Sequence, residues 1–213
     1  MSDMVKSILV LLVSIIIVHL VYIGYVRPEA DLLLETARQA GQAAPRDVVI
    51  VLKDYEQEIC FILMLWGGYL ILSKCRTILR NKYLFTVDLI EADEEERVVP
   101  ETIIDKLDTE LSAERSSAPL IHTLRSALWR YAGTGNVQNL SDAIESSVES
   151  LAVRQEAENS MIRYLIWAIP SIGFIGTVRG IGDALSLADQ ALAGDIAGMT
   201  NSLGVAFNST LVA

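Results

Sequence analysis

Apolar residues gather along the chain into four long runs separated by polar stretches. The first covers Met4 to Val26 and is interrupted by Lys6, Ser14 and His19 among others. The second extends from Ile59 to about Leu79, the third from Met161 to Leu185, and the fourth from Ile196 to Ala213. About 20 apolar residues in helical form cross a hydrocarbon core of ~30 Å, so each run predicts a transmembrane helix. A cleaved signal peptide does not fit the first run, which is too long and has no small-x-small site before Arg27-Pro28. The fourth run reaches only about 27 Å as a helix and meets Ala213 with no basic flank or aromatic anchor. A truncated last span is therefore expected.

The polar stretch between the second and third runs has a helical period. Leu140, Ile144, Val148 and Leu151 fall on one stripe among charged neighbours. A Gly133-Thr134-Gly135-Asn136 turn precedes that stripe, with Asn139 or Ser141 as the expected cap. No breaker separates Asp142 from Trp167, so the third span is predicted to be the membrane half of one long helix. Shorter helices are expected near 101–115 and 118–132. The fold class is thus all-α integral membrane protein: four transmembrane helices, the last truncated, with a long cytoplasmic helical extension. The parts are a first span at 1–26, a periplasmic segment at 27–57, a second span at 58–80, a cytoplasmic helical region at 81–160 and paired helices at 161–213.

Composition sharpens this picture. Apolar residues make up 52% of the chain although 21% are charged, so the two classes must be segregated. Most of the net charge of −10 comes from the polar middle, including Glu91, Asp93, Glu94, Glu95 and Glu96. A chain this acidic offers no basic patch to neutralise phosphates, which excludes nucleic acid as a partner. Basic residues near the span ends favour a cytoplasmic side holding Lys6, Lys74, Arg76, Arg80, Lys82, Arg154 and Arg163. That bias puts the N-terminus and 81–160 in the cytoplasm. Cys60 and Cys75 would stand roughly 22 Å apart on one helix, beyond the reach of a disulfide. His19 and His122 have no co-ligands at metal spacing, so no metal or other cofactor is expected. No nucleophile–base or carboxylate pair is placed for an enzyme.

The third and fourth runs carry the functional signal. Gly173, Gly176, Thr177 and Gly180 share one helical face, where small residues let another backbone approach closely. Pro170 frees a backbone carbonyl within the run, tolerable only beside protein, a side chain or water. The fourth run repeats the theme with Ser202, Ala206, Ser209, Thr210 and Ala213, beside a second stripe of Asn201, Gly204 and Asn208. Two such helices could line a narrow hydrated path in which threonine hydroxyls both donate and accept.

The run Pro170-Ser-Ile-Gly-Phe-Ile-Gly-Thr-Val-Arg-Gly-Ile resembles the signature of the MotA/TolQ/ExbB proton channel family, and Ala206-Phe-Asn-Ser-Thr-Leu resembles its last span. The resemblance covers roughly residues 160–213. It implies a bacterial inner-membrane homo-oligomer, a pentamer, in contact with lipid and surrounding a single-span partner of the MotB/ExbD/TolR kind. That partner would supply the aspartate that carries H+. Thr177 and Thr210 match the pore-facing threonines, with Gly173, Gly176 and Ser209 beside them, and Pro170 matches the proline near the proton site. Gly180, Gly204 and Ala206 are expected to pack the helices. Arg179 departs from the pattern, which commonly has an apolar or aromatic residue there, and an Arg179–Asp183 ion pair on one helix face is expected. The four apolar runs hold no Asp or Glu at hydrocarbon depth apart from Asp183, near the outer end of the third, so a proton relay is expected to need a second protein. The competing reading is a non-conducting assembly or signalling platform that uses the same helix packing.

Overall fold

In a computed structural model of the chain, residues 3–40, 45, 47–86, 99–110 and 118–213 are described, and every regular element among them is helical. Helix α1 (Asp3–Val21) runs through a π-helical turn (Tyr22–Val26) into α2 (Arg27–Gln39) without a break. The turn has a local cause. Pro28 has no N–H to give the carbonyl four residues back, and the wider turn instead bonds the Arg27 N–H to Tyr22 O. The segment expected to leave the membrane at residue 27 therefore begins as a continuation of the first helix. It then forms the short α3 (Val48–Leu52), whose first turn is capped by Asp47 accepting from the Val49 N–H at 2.9 Å.

Helix α4 (Tyr55–Lys82) starts three residues before the expected limit and ends in a 3-10 turn, Tyr83–Phe85. The earlier start matters because Glu56, Gln57 and Glu58 are thereby helical and buried. Helix α5 covers Pro100–Glu110; the acidic run 91–96 and residues 111–117 lie outside the described residues. Helix α6 (Pro119–Thr134) stops at Gly135, whose φ of 62° is left-handed and so favours glycine. Asn136, rather than Asn139 or Ser141, caps the next helix, accepting from the Gln138 N–H at 2.8 Å. The reason is that Gly135 completes the reversal at once and leaves Asn136 at the capping position.

Helix α7 (Val137–Ser186) is continuous over 50 residues, Pro170 included, as the lack of breakers predicts. Helix α8 (Ala188–Leu192) and Gly194, at φ 104°, turn the chain into α9 (Ala197–Val212).

Three helical stretches among the described residues are long and apolar enough to cross a membrane: Met4–Gln39, Tyr55–Phe85 and Val137–Ser186. The fourth run forms α9, which at 16 residues measures about 24 Å, short of the ~30 Å core. The helices fall into two units, residues 1–72 with 161–213, and residues 73–160.

In the first unit Val18, Tyr22 and Val26 form a small core with Val49, Leu52, Phe61 and Ile62. Much of α1 stays open, with Ile8, Leu9, Leu12, Ile16 and Leu20 each at least about half exposed. A helix can present such a surface to lipid because all its backbone polar groups are satisfied internally. In the second unit Leu84, Ile103, Ile104, Leu107, Ala118, Ile121 and Leu128 form the core. The expected stripe on α7 is not its buried face: Ala143 is buried, Leu140 and Leu151 half-buried, and Ile144 and Val148 exposed.

Candidate functional site: a hydroxyl-lined helix crossing

The crossing of α7 and α9 is built from what glycine lacks. Gly173, Gly176 and Gly180 are buried. A methyl group on Gly180 would stand 2.6 Å from the Ala206 nitrogen and 2.8 Å from both Ala206 Cβ and Ser202 O. On Gly176 it would meet Ser209 Cβ at 2.5 Å and Glu56 Cγ at 3.0 Å, and on Gly173 it would meet Ser209 O at 2.9 Å. Gly173 and Gly180 admit no side chain, because backbone and Cβ atoms face them and cannot swing away, and at Gly176 the Ser209 Cβ does the same. Ala206 is 1% exposed and belongs to this seam. Gly204 does not, since a side chain there would meet nothing within 4 Å among the described residues.

Close approach brings the hydroxyls together. The Thr177 and Thr210 hydroxyls are hydrogen-bonded to each other. Thr177 Oγ1 also lies 3.1 Å from both Gly173 O and Ala206 O. Its single proton can serve one acceptor at a time, so Thr210 can donate to Thr177 while Thr177 donates to a carbonyl. Thr177 is half-buried and Thr210 exposed, which sets the pair at the open edge of the crossing. Ser209, adjacent to Thr210, is buried instead, donating to Val205 O at 2.9 Å. Pro170 is exposed, more than a helical turn before this cluster, and Ser171 beside it donates back to Trp167 O at 2.7 Å.

On the far side of α7 stands a group of charges. Arg179 is bidentate to Glu56, Nε to Oε1 at 2.8 Å and Nη2 to Oε2 at 2.9 Å, with Asp54 at 3.7 Å. Asp183, the partner expected from helical spacing, is in range at 3.9 Å but is not the main one. A flexible i,i+4 pair on an open helix face loses to a carboxylate delivered by another helix and already buried. Glu58 is held in the same way, by Arg27 at 2.5 Å and His19 at 2.6 Å. The Tyr55 ring lies between the two guanidiniums, 5.4 Å from Arg27 and 5.8 Å from Arg179. Asp54, just outside the helix, has one oxygen without a hydrogen-bond partner among the described residues. Burial pushes its carboxyl above the ordinary range, with Lys53 and Arg179 pulling the other way.

The structure thus adds Glu56, Gln57 and Glu58 to the residues singled out by sequence. The carboxylates of this second run escaped notice because they lie before its first apolar residue. A usable signal was there: an arginine within the third run needs a counter-charge, and the only acids beside the second run precede it. Both buried carboxylates are ion-paired, Glu56 with Arg179 and Glu58 with Arg27 and His19.

Two comparisons with known proteins return nothing, as no curated protein and no solved structure matches the chain. The third is a family match: residues 115–213 fit the MotA/TolQ/ExbB proton channel family. The match extends back from the paired helices to include α6 and all of α7.

Proposed function

We propose, from the membership of residues 115–213 in the MotA/TolQ/ExbB proton channel family, that this chain is a proton-channel subunit of an ion-driven motor or energy-transducing complex of the bacterial inner membrane. The observation that carries the reading is the Thr177–Thr210 hydroxyl contact at the open edge of the α7–α9 crossing. Hydroxyls can organise water and relay a hydrogen bond, but they do not store a proton. The proton-binding aspartate therefore belongs to a single-span partner of the MotB/ExbD/TolR kind, and the transported ion is H+. Glu56 and Glu58 are engaged elsewhere, in ion pairs with Arg179 and Arg27.

The open apolar faces of α1 and of Phe174, Ile175 and Val178 supply lipid and subunit contacts for a ring of these chains, a pentamer. α9 crosses as a fourth span with the N-terminus on the cytoplasmic side, and 81–160 forms the cytoplasmic extension. The chain itself does no enzymatic chemistry. Proton flow down the membrane potential, worth ~2.3 kcal/mol per charge per 100 mV, is the work source.

The test is partner-dependent proton flux in liposomes holding this chain with its single-span partner. Thr177→Ala and Thr210→Ala are each expected to lower flux about 10-fold, the loss of roughly one hydrogen bond in the rate-limiting passage. Flux intact in both variants would rule out the threonine path. Function unaffected by removing the partner's aspartate would instead favour the non-conducting assembly platform.

A further inference from the structure

We infer that Glu56 and Gln57, neighbours in the first turn of α4, are positioning residues: a two-pronged clamp that sets the rotation of α7 and α9 so that Thr177 and Thr210 meet. The inference rests on the reading of those threonines as the proton path, but its geometry stands by itself.

Side chains at adjacent helical positions diverge by about 100°, so two neighbours can address two different helices. Glu56 addresses α7 through the bidentate pair with Arg179. Gln57 addresses α9, its Nε2 donating to Ser209 Oγ at 3.4 Å. Glu58 addresses the continuous α1–α2 helix through His19 and Arg27. Three consecutive residues of one helix thus hold three others, which is more than filling a core requires.

Rotation is the quantity at stake. Arg179 lies two residues from Thr177, about 200° around α7, so anchoring Arg179 on α4 turns Thr177 away from α4. Ser209 precedes Thr210 by one residue, and holding Ser209 inside leaves Thr210 at the edge, as found. The glycine seam cannot supply this constraint alone. A face of Gly173, Gly176 and Gly180 brings backbones close but offers few side-chain knobs to resist turning. A fork of two parallel N–H···O bonds does resist it, because both the distance and the plane of the guanidinium are fixed.

The choice of glutamine points the same way. Gln57 is 0% exposed, and its Oε1 has no partner among the described residues. An aliphatic side chain of that size would fill the space without leaving a buried acceptor unsatisfied. What it would lack is the hydrogen bond to Ser209.

Cross-linking measures the register whether or not the chain conducts. In a Cys60→Ser, Cys75→Ser background, Thr177→Cys and Thr210→Cys are introduced, native membranes are oxidised, and linked peptides are counted by mass spectrometry in the monomer band. With the clamp intact, the pair is expected to link in the majority of chains. Glu56→Gln with Arg179→Met removes the ion pair without leaving either of its two members as an unpaired charge. The yield should then fall about fivefold, the population shift expected when an interaction of typical net strength is lost. Gln57→Leu should lower it by a similar factor through α9. Arg179→Lys, which keeps the charge but not the fork, should recover about half of what Arg179→Met alone loses; a role in mere packing predicts no such recovery.

Unchanged yield in Gln57→Leu and in the Glu56/Arg179 double variant overturns the clamp. If the double variant fails to reach the membrane, Gln57→Leu decides alone. Flux measured in the same variants, with Thr177 and Thr210 restored, separates the two readings. Cross-linking that responds in a chain that conducts nothing leaves the clamp and removes the channel; flux from a chain whose cross-linking ignores both prongs does the reverse.

Discussion

The two units of this chain are held together in opposite ways. In residues 73–160 the contacts are made by side chains: Ile103, Ile104, Leu107, Ile121 and Leu128 bury large aliphatic surface together with Leu84. In residues 1–72 with 161–213 the decisive contacts are made by their absence, glycine against backbone, and by polar groups that meet across helices. Where water is the alternative, burial of apolar area is worth roughly 25 cal/mol per Å², and leucine and isoleucine supply that area. Lipid tails are as apolar as leucine and give no such reward. Helices there gain by close van der Waals approach and by hydrogen bonds, which small residues and paired polar ones provide.

Substitutions that exchange one logic for the other should break it most severely. Gly180→Leu places a large side chain where Ala206 N is 2.6 Å from the first added carbon. That exceeds ordinary overpacking costs of about 1–3 kcal/mol. Loss of the α7–α9 contact is expected, read as failure of the chain to elute as a single species in mild detergent. A wild-type elution profile would mean the seam is not tight.

The mirror experiment trims the other unit. Ile121 is 0% exposed, and Ile121→Ala should cost about 2–5 kcal/mol. Amide hydrogen exchange should then accelerate across α5 and α6 while α9 keeps its protection. Equal acceleration in both would mean the two units do not differ in what holds them.

Gly204→Ala sharpens the comparison from within the α7–α9 pair. It changes a glycine of α9 with open space around it, so it should be neutral or stabilise by up to about 1 kcal/mol through helix propensity. A loss as large as that of Gly180→Leu would show that another chain covers Gly204.

The smallest expected effect is a pH dependence. Asp54 has its carboxyl raised in the fold by burial, with Lys53 and Arg179 opposing. Any stability it contributes is present at low pH, where it is protonated in both states, and is lost as pH rises from its ordinary 3.8 through its folded value. Asp54→Asn cannot titrate. The wild-type melting temperature minus that of the variant should therefore decrease with rising pH over that window. A difference that increases with pH would mean the charged form is the favoured one, held by Arg179.

Much of the candidate site was legible in the residues themselves. The spacing of Gly173, Gly176 and Gly180 named the seam, and the twin hydroxylic faces named Thr177 and Thr210 before any contact was known. Spacing could not tell Gly204 from Gly180, because both are small residues in a helix and only the neighbour's position separates them. It also favoured Asp183 over Glu56 for Arg179, since an i,i+4 neighbour is visible along the chain and a carboxylate 123 residues away is not.

The sequence alone determined that this chain is helical, that its first three apolar runs lie in helices able to span a bilayer, and that α7 is unbroken; the fourth expected span is a helix of 16 residues. Those properties are local: they depend on apolar run length, periodicity and the positions of glycine, proline and asparagine. Only the tertiary structure decided which polar groups meet. Glu56 and Gln57 read as the end of a polar loop until α4 starts at Tyr55 and aims one at Arg179 and the other at Ser209. Pairing of that kind depends on the depth and rotation of several helices at once, which no single segment encodes.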